Sequence, residues 1–110
     1  YKSKKHGQIS INRSFPGITK GGHYHTYKNE IFMTVKGECV TRQRKIGGTE
    51  ILEFPTKGIE SKKVDIIPNY THDIKNVGDE ESITLMWISE VYSDETADTY
   101  REDVDLKWEM

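Results

Sequence analysis

Three of the four histidines lie in two short segments, His23-Tyr24-His25 and Tyr70-Thr71-His72, and Glu30 follows the first pair after four intervening residues. Residues two apart on a β-strand point to the same side, so His23 and His25 can face one interior together. Glu30 can complete the set from the start of the next strand. Imidazoles and a carboxylate suit a divalent metal, Zn2+ first, with Fe, Ni, Cu and Mn compatible with the same donors. The competing reading makes them ordinary polar residues of turns. His6 stands outside both segments and reads as a surface residue. Cys39, the single cysteine, reads as an inert strand residue rather than an active-site thiol; it has no internal disulfide partner, which fits a reducing cytosol.

The elements that must carry these residues are short runs separated by Gly, Pro, Asn and Asp, the pattern of strands. Ile9 and Ile11 alternate with polar neighbours until Phe15-Pro16-Gly17 breaks the run. Ile31–Val35 and Cys39–Arg44 are joined at Lys36-Gly37, where a hairpin turn wants positive φ. Ile46–Gly48 reads as a turn before Glu50–Phe54, Pro55–Gly58 as another before Val64–Ile67, and Ile83–Val91 as the last clear strand. Many short strands predict an all-β sandwich or barrel. From Ser93 the chain is acidic and poorly periodic, which predicts a loop or short helix packed on the barrel through Val104, Leu106 and Trp108. Trp87 and Phe32 fill the barrel or line its cavity, with the core favoured.

The chain has 110 residues, room for one domain (1–110) with a real core and too few for two. Apolar residues are 34 % and charged residues 31 %, yet three Phe, six Tyr and two Trp set it apart from disorder. No run approaches a membrane span, no secretory leader opens the chain, and a start at Tyr1 without methionine suggests a fragment. The net charge of −2 conceals ten Lys/Arg against two acids in residues 1–45 and six against sixteen in residues 46–110. Interleaved solvated faces explain this, or else a basic wall that meets an anionic ligand. Nucleic acid is a poor partner for so acidic a balance without a recognised motif.

Gly17, His23, His25, Glu30 and Gly37 reproduce at every fixed position the first cupin motif, G-x5-H-x-H-x4-E-x6-G. The second motif, P-x-G-x2-H-x3-N, is present with His72 and Asn76 in register, Ile67 at the proline position, Pro68 one place later, and Asn69 at the glycine position. Asn tolerates left-handed φ better than most residues. The chain therefore resembles cupins, and the resemblance implies a double-stranded β-helix (jelly-roll) barrel with His23, His25, Glu30 and His72 around one ion, and often a homodimer formed through edge strands. The metal then either does chemistry or only holds the barrel together.

Gly7-Gln8-Ile9-Ser10-Ile11, Pro16-Gly17-Ile18-Thr19-Lys20-Gly21, Lys28-Asn29-Glu30 and Tyr70-Thr71-His72 narrow the likeness. From about Gly7 to Tyr100 the chain resembles the C-terminal cupin domain of CapF-type capsular polysaccharide enzymes. The resemblance implies a cytoplasmic zinc domain that epimerises C3 of a UDP-4-keto-6-deoxy-sugar, following an NADPH-dependent reductase domain. No G-x-x-G-x-x-G element is present, so NADPH would belong only to such a preceding domain. Epimerisation needs an oxyanion stabiliser and a base; Tyr70 and Lys28 are the candidate bases, with Tyr24 disfavoured as a neighbour of ligands. Lys20, Arg42 and Arg44 are the candidate contacts for the diphosphate, Arg being suited to bidentate phosphate binding, although alternation puts Arg42 and Arg44 together on one face and a solvated outer face is the favoured reading of that pair. A metal-dependent dioxygenase or isomerase and a non-enzymatic sugar-binding cupin are the alternatives.

Overall fold

The alternating segments pair into two five-stranded antiparallel sheets, seen in a computed structural model that describes residues 2–3, 7–60, 62–89 and 99–104. In chain order the strands are β1 (Lys2–Ser3), β2 (Gly7–Ser14), β3 (Thr19–Tyr24), β4 (Glu30–Lys36), β5 (Glu38–Lys45), β6 (Ile51–Lys57), β7 (Lys63–Ile66), β8 (Tyr70–Asn76), β9 (Ser82–Ile88) and β10 (Tyr100–Arg101). A single 3-10 turn, Gly58–Glu60, interrupts them. The first sheet runs β1-β2-β9-β4-β7 and the second β10-β3-β8-β5-β6. The expected all-β jelly-roll barrel is therefore the fold, with Glu30 on a strand of one wall and His23 and His72 on strands of the other.

Register decides which side chains face inward. In the first sheet Glu30 opposes Ile88 and Ile66, and Phe32 opposes Met86 and Val64. In the second, His72 opposes Gln43, and Ile74 opposes Thr41. Directly opposed residues share a face, so these pairs line the interior. Phe32, Cys39, Val64, Ile66 and Ile74 form its apolar core, which settles Cys39 as a packed strand residue and Phe32 as core. Truncating Phe32 to Ala would cost about 3–5 kcal/mol. Buried Gln43 bridges the two sheets, donating to the Asp65 carbonyl at 2.9 Å and accepting from the Ile67 N–H at 3.0 Å.

Some details depart from the sequence reading. Pro55 lies inside β6 rather than in a turn, because β6 is an edge strand that pairs only with β5, and an edge tolerates a residue without an N–H. Trp87 neither fills the barrel nor lines its cavity: it opposes Ile9 and Ile31 on the outer face of the first sheet. In the described part of the acidic tail, residues 99–104, a two-residue strand stands where only a loop or short helix was expected, β10 pairing with the end of β3, while the residues on either side of it are loop. Val104 is buried as expected, whereas Leu106, Trp108 and His6 lie outside the described residues. No helix among the described residues is long and apolar enough to cross a membrane.

Candidate metal centre

β3 approaches β8 more closely than side chains normally permit. A Cβ on Gly21 would stand 2.7 Å from the His72 carbonyl oxygen and 2.8 Å from the Asp73 Cα, and the backbone there has φ of +116°. Only glycine accepts both conditions. The pairing shifts register between Gly21 and His23, a bulge that brings His23 directly opposite His72. His25 follows just beyond the strand. Its carbonyl accepts from the Asn69 N–H at 2.6 Å, and Asn69, at φ of 66°, makes the turn into β8. The asparagine at the glycine position of the second motif thus does what the sequence asked of it.

Ligand nitrogens of His23, His25 and His72 all lie within 4.8 Å of one another. Glu30 reaches them from β4, its Oε1 2.5 Å from His25 Nε2 and 3.3 Å from His72 Nε2. The His23 and His72 rings meet edge to face at 4.8 Å, and Phe32 closes the floor with its ring centroid 5.7 Å from that of His72. Burial depresses His23 to a pKa of about 4, helped by the other imidazoles and opposed by Glu30. Burial alone would raise Glu30, but the contacts from His25 and His72 prevail and hold it at about 2. Near neutral pH the site therefore offers a neutral imidazole at His23 and an ionised carboxylate, the protonation states in which both bind a cation.

Among the described residues neither buried ring nitrogen of His72 has a well-aligned hydrogen bond: Nε2 has only the 3.3 Å approach of Glu30 Oε1, and Nδ1 has none. Buried polar groups are rarely left so. A cation held by the four side chains would partner one of these nitrogens, so the donor set fits a transition-metal ion.

The other predicted site residues are distributed unevenly. Tyr70 opens β8 on the same side as His72, two residues away and half buried. Lys28 is buried in the loop between β3 and β4, two residues before Glu30. Tyr24 stacks on Tyr100 at 5.3 Å. Lys20, Arg42 and Arg44 are not brought to the cluster. Gln43 opposes His72, so Arg42 and Arg44, its neighbours in β5, point through the other face of the sheet. Nor is that face solvated: Arg42 binds both carboxylate oxygens of Asp73, at 3.0 and 2.6 Å, and Arg44 is buried against residues 102–104. The Lys20 ammonium is held by Asn12 Oδ1 at 2.8 Å and the Arg13 carbonyl at 2.7 Å. Asn76 donates to the carbonyls of Ser14 and Glu80 and so closes the β8–β9 turn.

Residues 1–100 match the family described as the polysaccharide biosynthesis C-terminal domain. The chain belongs to this family. It also superposes on CapF of Staphylococcus aureus with a TM-score of 0.91 and 44 % identity over 94 % of the chain, so it corresponds to the C-terminal domain of CapF-type enzymes. It is 38 % identical over 99 residues to a UDP-2-acetamido-2,6-beta-L-arabino-hexul-4-ose reductase of Pseudomonas aeruginosa. That match takes in 90 % of the chain but 27 % of the reductase, and the CapF match 30 % of CapF, so this CapF-type domain spans less than a third of either relative. At 12 % identity, ChmJ, a 3'-monoepimerase of Streptomyces bikiniensis, shares the fold with a TM-score of 0.76 over 91 % of the chain and 53 % of ChmJ.

The sequence reading missed the Gly21-Gly22 bulge and the burial of Arg44 against residues 102–104. Paired glycines directly before a His-x-His segment are a readable signal for a bulge. The contact of Arg44 with residues 102–104 carries no local signature, because it joins chain segments far apart in sequence.

Proposed function

We propose that this domain binds one divalent metal ion, zinc by preference, through His23, His25, His72 and Glu30. With it the domain epimerises C3 of a UDP-4-keto-6-deoxy-N-acetylhexosamine in capsular or O-antigen precursor synthesis. The observation that carries this reading is the convergence of three imidazoles and an ionised carboxylate in a barrel wall, with the buried nitrogens of His72 lacking a well-aligned hydrogen bond. The Pseudomonas relative is named for a UDP-linked 4-ketosugar, and ChmJ is bound to dTDP-quinovose.

The hydrogen at C3 is acidic because it lies α to the C4 ketone. When bound, the ion supplies Lewis acidity toward the ketone oxygen. Glu30 and the three histidines fix the position of that charge at the barrel mouth. Tyr70, on the His72 face, is the first candidate to take the C3 proton, and Lys28 the second. Return of a proton to the opposite face inverts the centre with no net oxidation. Reduction at C4, and NADPH with it, falls to a reductase domain in a longer protein.

A homodimer is part of the proposal. Ile9, Trp87 and Ile31 form one apolar tier across the outer face of the first sheet, and Ile11, Leu85 and Met33 the next, with Ile11 67 % exposed. Light scattering should give a dimer for the wild type and a monomer for Leu85→Glu.

The chemistry is tested by incubating the metal-loaded protein with the 4-ketosugar in D2O without a nicotinamide cofactor. Deuterium should enter at C3, and His72→Ala should abolish the exchange. Tyr70→Phe should slow it about 10²–10⁴-fold while metal stays bound. Binding of the sugar with no exchange by the wild type would instead support a sugar-binding cupin.

A further inference from the structure

The segment Thr99–Val104 crosses the second sheet and touches the end of β3 that carries His23 and leads to His25. Tyr100 pairs with Tyr24 and Arg101 with His23, so β10 takes the edge position that β3 would otherwise hold. The Glu102 N–H donates to the Gly22 carbonyl at 2.9 Å, and Arg101 Nη1 to the Gly21 carbonyl at 3.2 Å. The glycine bulge that aims His23 is therefore held from its open side.

What holds the segment in turn is Arg44. Its guanidinium donates to the Val104 carbonyl at 2.7 Å, the Asp103 carbonyl at 2.7 Å, Glu102 Oε2 at 2.8 Å and the Gly48 carbonyl at 3.1 Å. Thr71, beside His72, donates its hydroxyl to the Glu102 carbonyl, and Val104 is 1 % exposed. A buried cation fixed by three consecutive residues of one segment is a clamp, and the planar guanidinium provides directions that a lysine ammonium lacks.

At the start of the segment Thr99 Oγ1 lies 3.4 Å from His25 Nδ1, while Nε2 of the same ring faces Glu30 at 2.5 Å. The two nitrogens thus point to different tasks, Nε2 to the metal centre and Nδ1 to the segment. Metal-bound imidazoles characteristically have their second nitrogen held by an outer partner, which fixes tautomer and ring orientation.

We propose that Thr99–Val104 is a strap, clamped by Arg44, whose Thr99 hydroxyl is a positioning group for His25 as a metal ligand. The inference rests on the metal reading of the site. It assigns Arg44 to the metal centre at second hand rather than to a phosphate.

The test is zinc affinity by chelator competition, with the visible spectrum of the Co2+-substituted protein as a second readout, in the longest natural form of the chain. Thr99→Val, a change at an exposed position, should weaken zinc binding about tenfold and alter the Co2+ bands, and Thr99→Ser should restore both. Arg44→Met should weaken binding at least as much, with Arg44→Lys intermediate. Wild-type affinity and spectrum in Thr99→Val would overturn the positioning role, whether or not the Arg44 variants fold. A folded Arg44→Met with wild-type affinity would overturn the clamp. A wild-type protein that takes up no metal would remove the proposed function itself, a result distinct from either.

Discussion

Replacing Arg42 by Met should be among the most damaging single changes in the second sheet. Arg42 and Asp73 are directly opposed on β5 and β8, 6 % and 5 % exposed, and joined by two hydrogen bonds of 3.0 and 2.6 Å. Removing the guanidinium leaves the Asp73 carboxylate buried without its cation, and such breaks cost about 3–5 kcal/mol. That is about a fifth or more of the 5–15 kcal/mol that holds a typical domain. At roughly 4–8 °C per kcal/mol for a domain near this size, a midpoint loss of about 12–40 °C follows. Removing both charges in Arg42→Met/Asp73→Leu should recover most of it, because no uncompensated charge remains. Thermal unfolding followed by circular dichroism gives all corners of the double-mutant cycle. A single-mutant loss below about 1 kcal/mol, or strictly additive effects, would refute the reasoning. So would a stable Arg42→Met that loses affinity for UDP-sugar, since that would return Arg42 to the substrate.

The metal-free domain should lose stability as pH falls from about 6.5 toward 2. Folding lowers His23 from 6.5 to about 4 and Glu30 from 4.5 to about 2, so the unfolded chain binds more protons across both windows; a urea midpoint unchanged between pH 7.5 and 4.5 would contradict this. Chelation should lower the melting midpoint of the metal-loaded protein, since an ion at 100 times its Kd contributes about 2.7 kcal/mol to the folded state, and identical melting curves with demonstrably emptied sites would speak against the clamp. Gly21→Ala should destabilise by about 1–3 kcal/mol and reduce metal uptake, because its Cβ meets the His72 carbonyl oxygen and the Asp73 Cα under 3.0 Å; normal metal content in that variant would show that β3 can shift without moving His23.

The clustering of His23, His25, Glu30 and His72 and the barrel that carries it were legible because both follow local rules: alternation, turn residues and the spacing of those four residues. Asn69 was legible for the same reason, as a residue able to take the positive φ of a turn. Arg42 and Arg44 were not. Strand periodicity correctly put them on one face, but whether that face met solvent, ligand or protein depended on a segment nearly 60 residues away folding over it. Trp87 misled for a related reason, since an aromatic strand residue reads as interior unless the register of its neighbours is known. Pro55 reads as a turn until β6 is known to be an edge.

The claim on which the rest depends is that His23, His25, His72 and Glu30 form one metal centre. Elemental analysis of the purified wild type and of His72→Ala, at equal folded fraction, tests it most directly. The prediction is about one equivalent of metal per chain in the wild type, with ligand nitrogens at about 2.0–2.1 Å by X-ray absorption if the ion is zinc, and near-complete loss in the variant. Stoichiometric metal retained by folded His72→Ala would contradict the assignment.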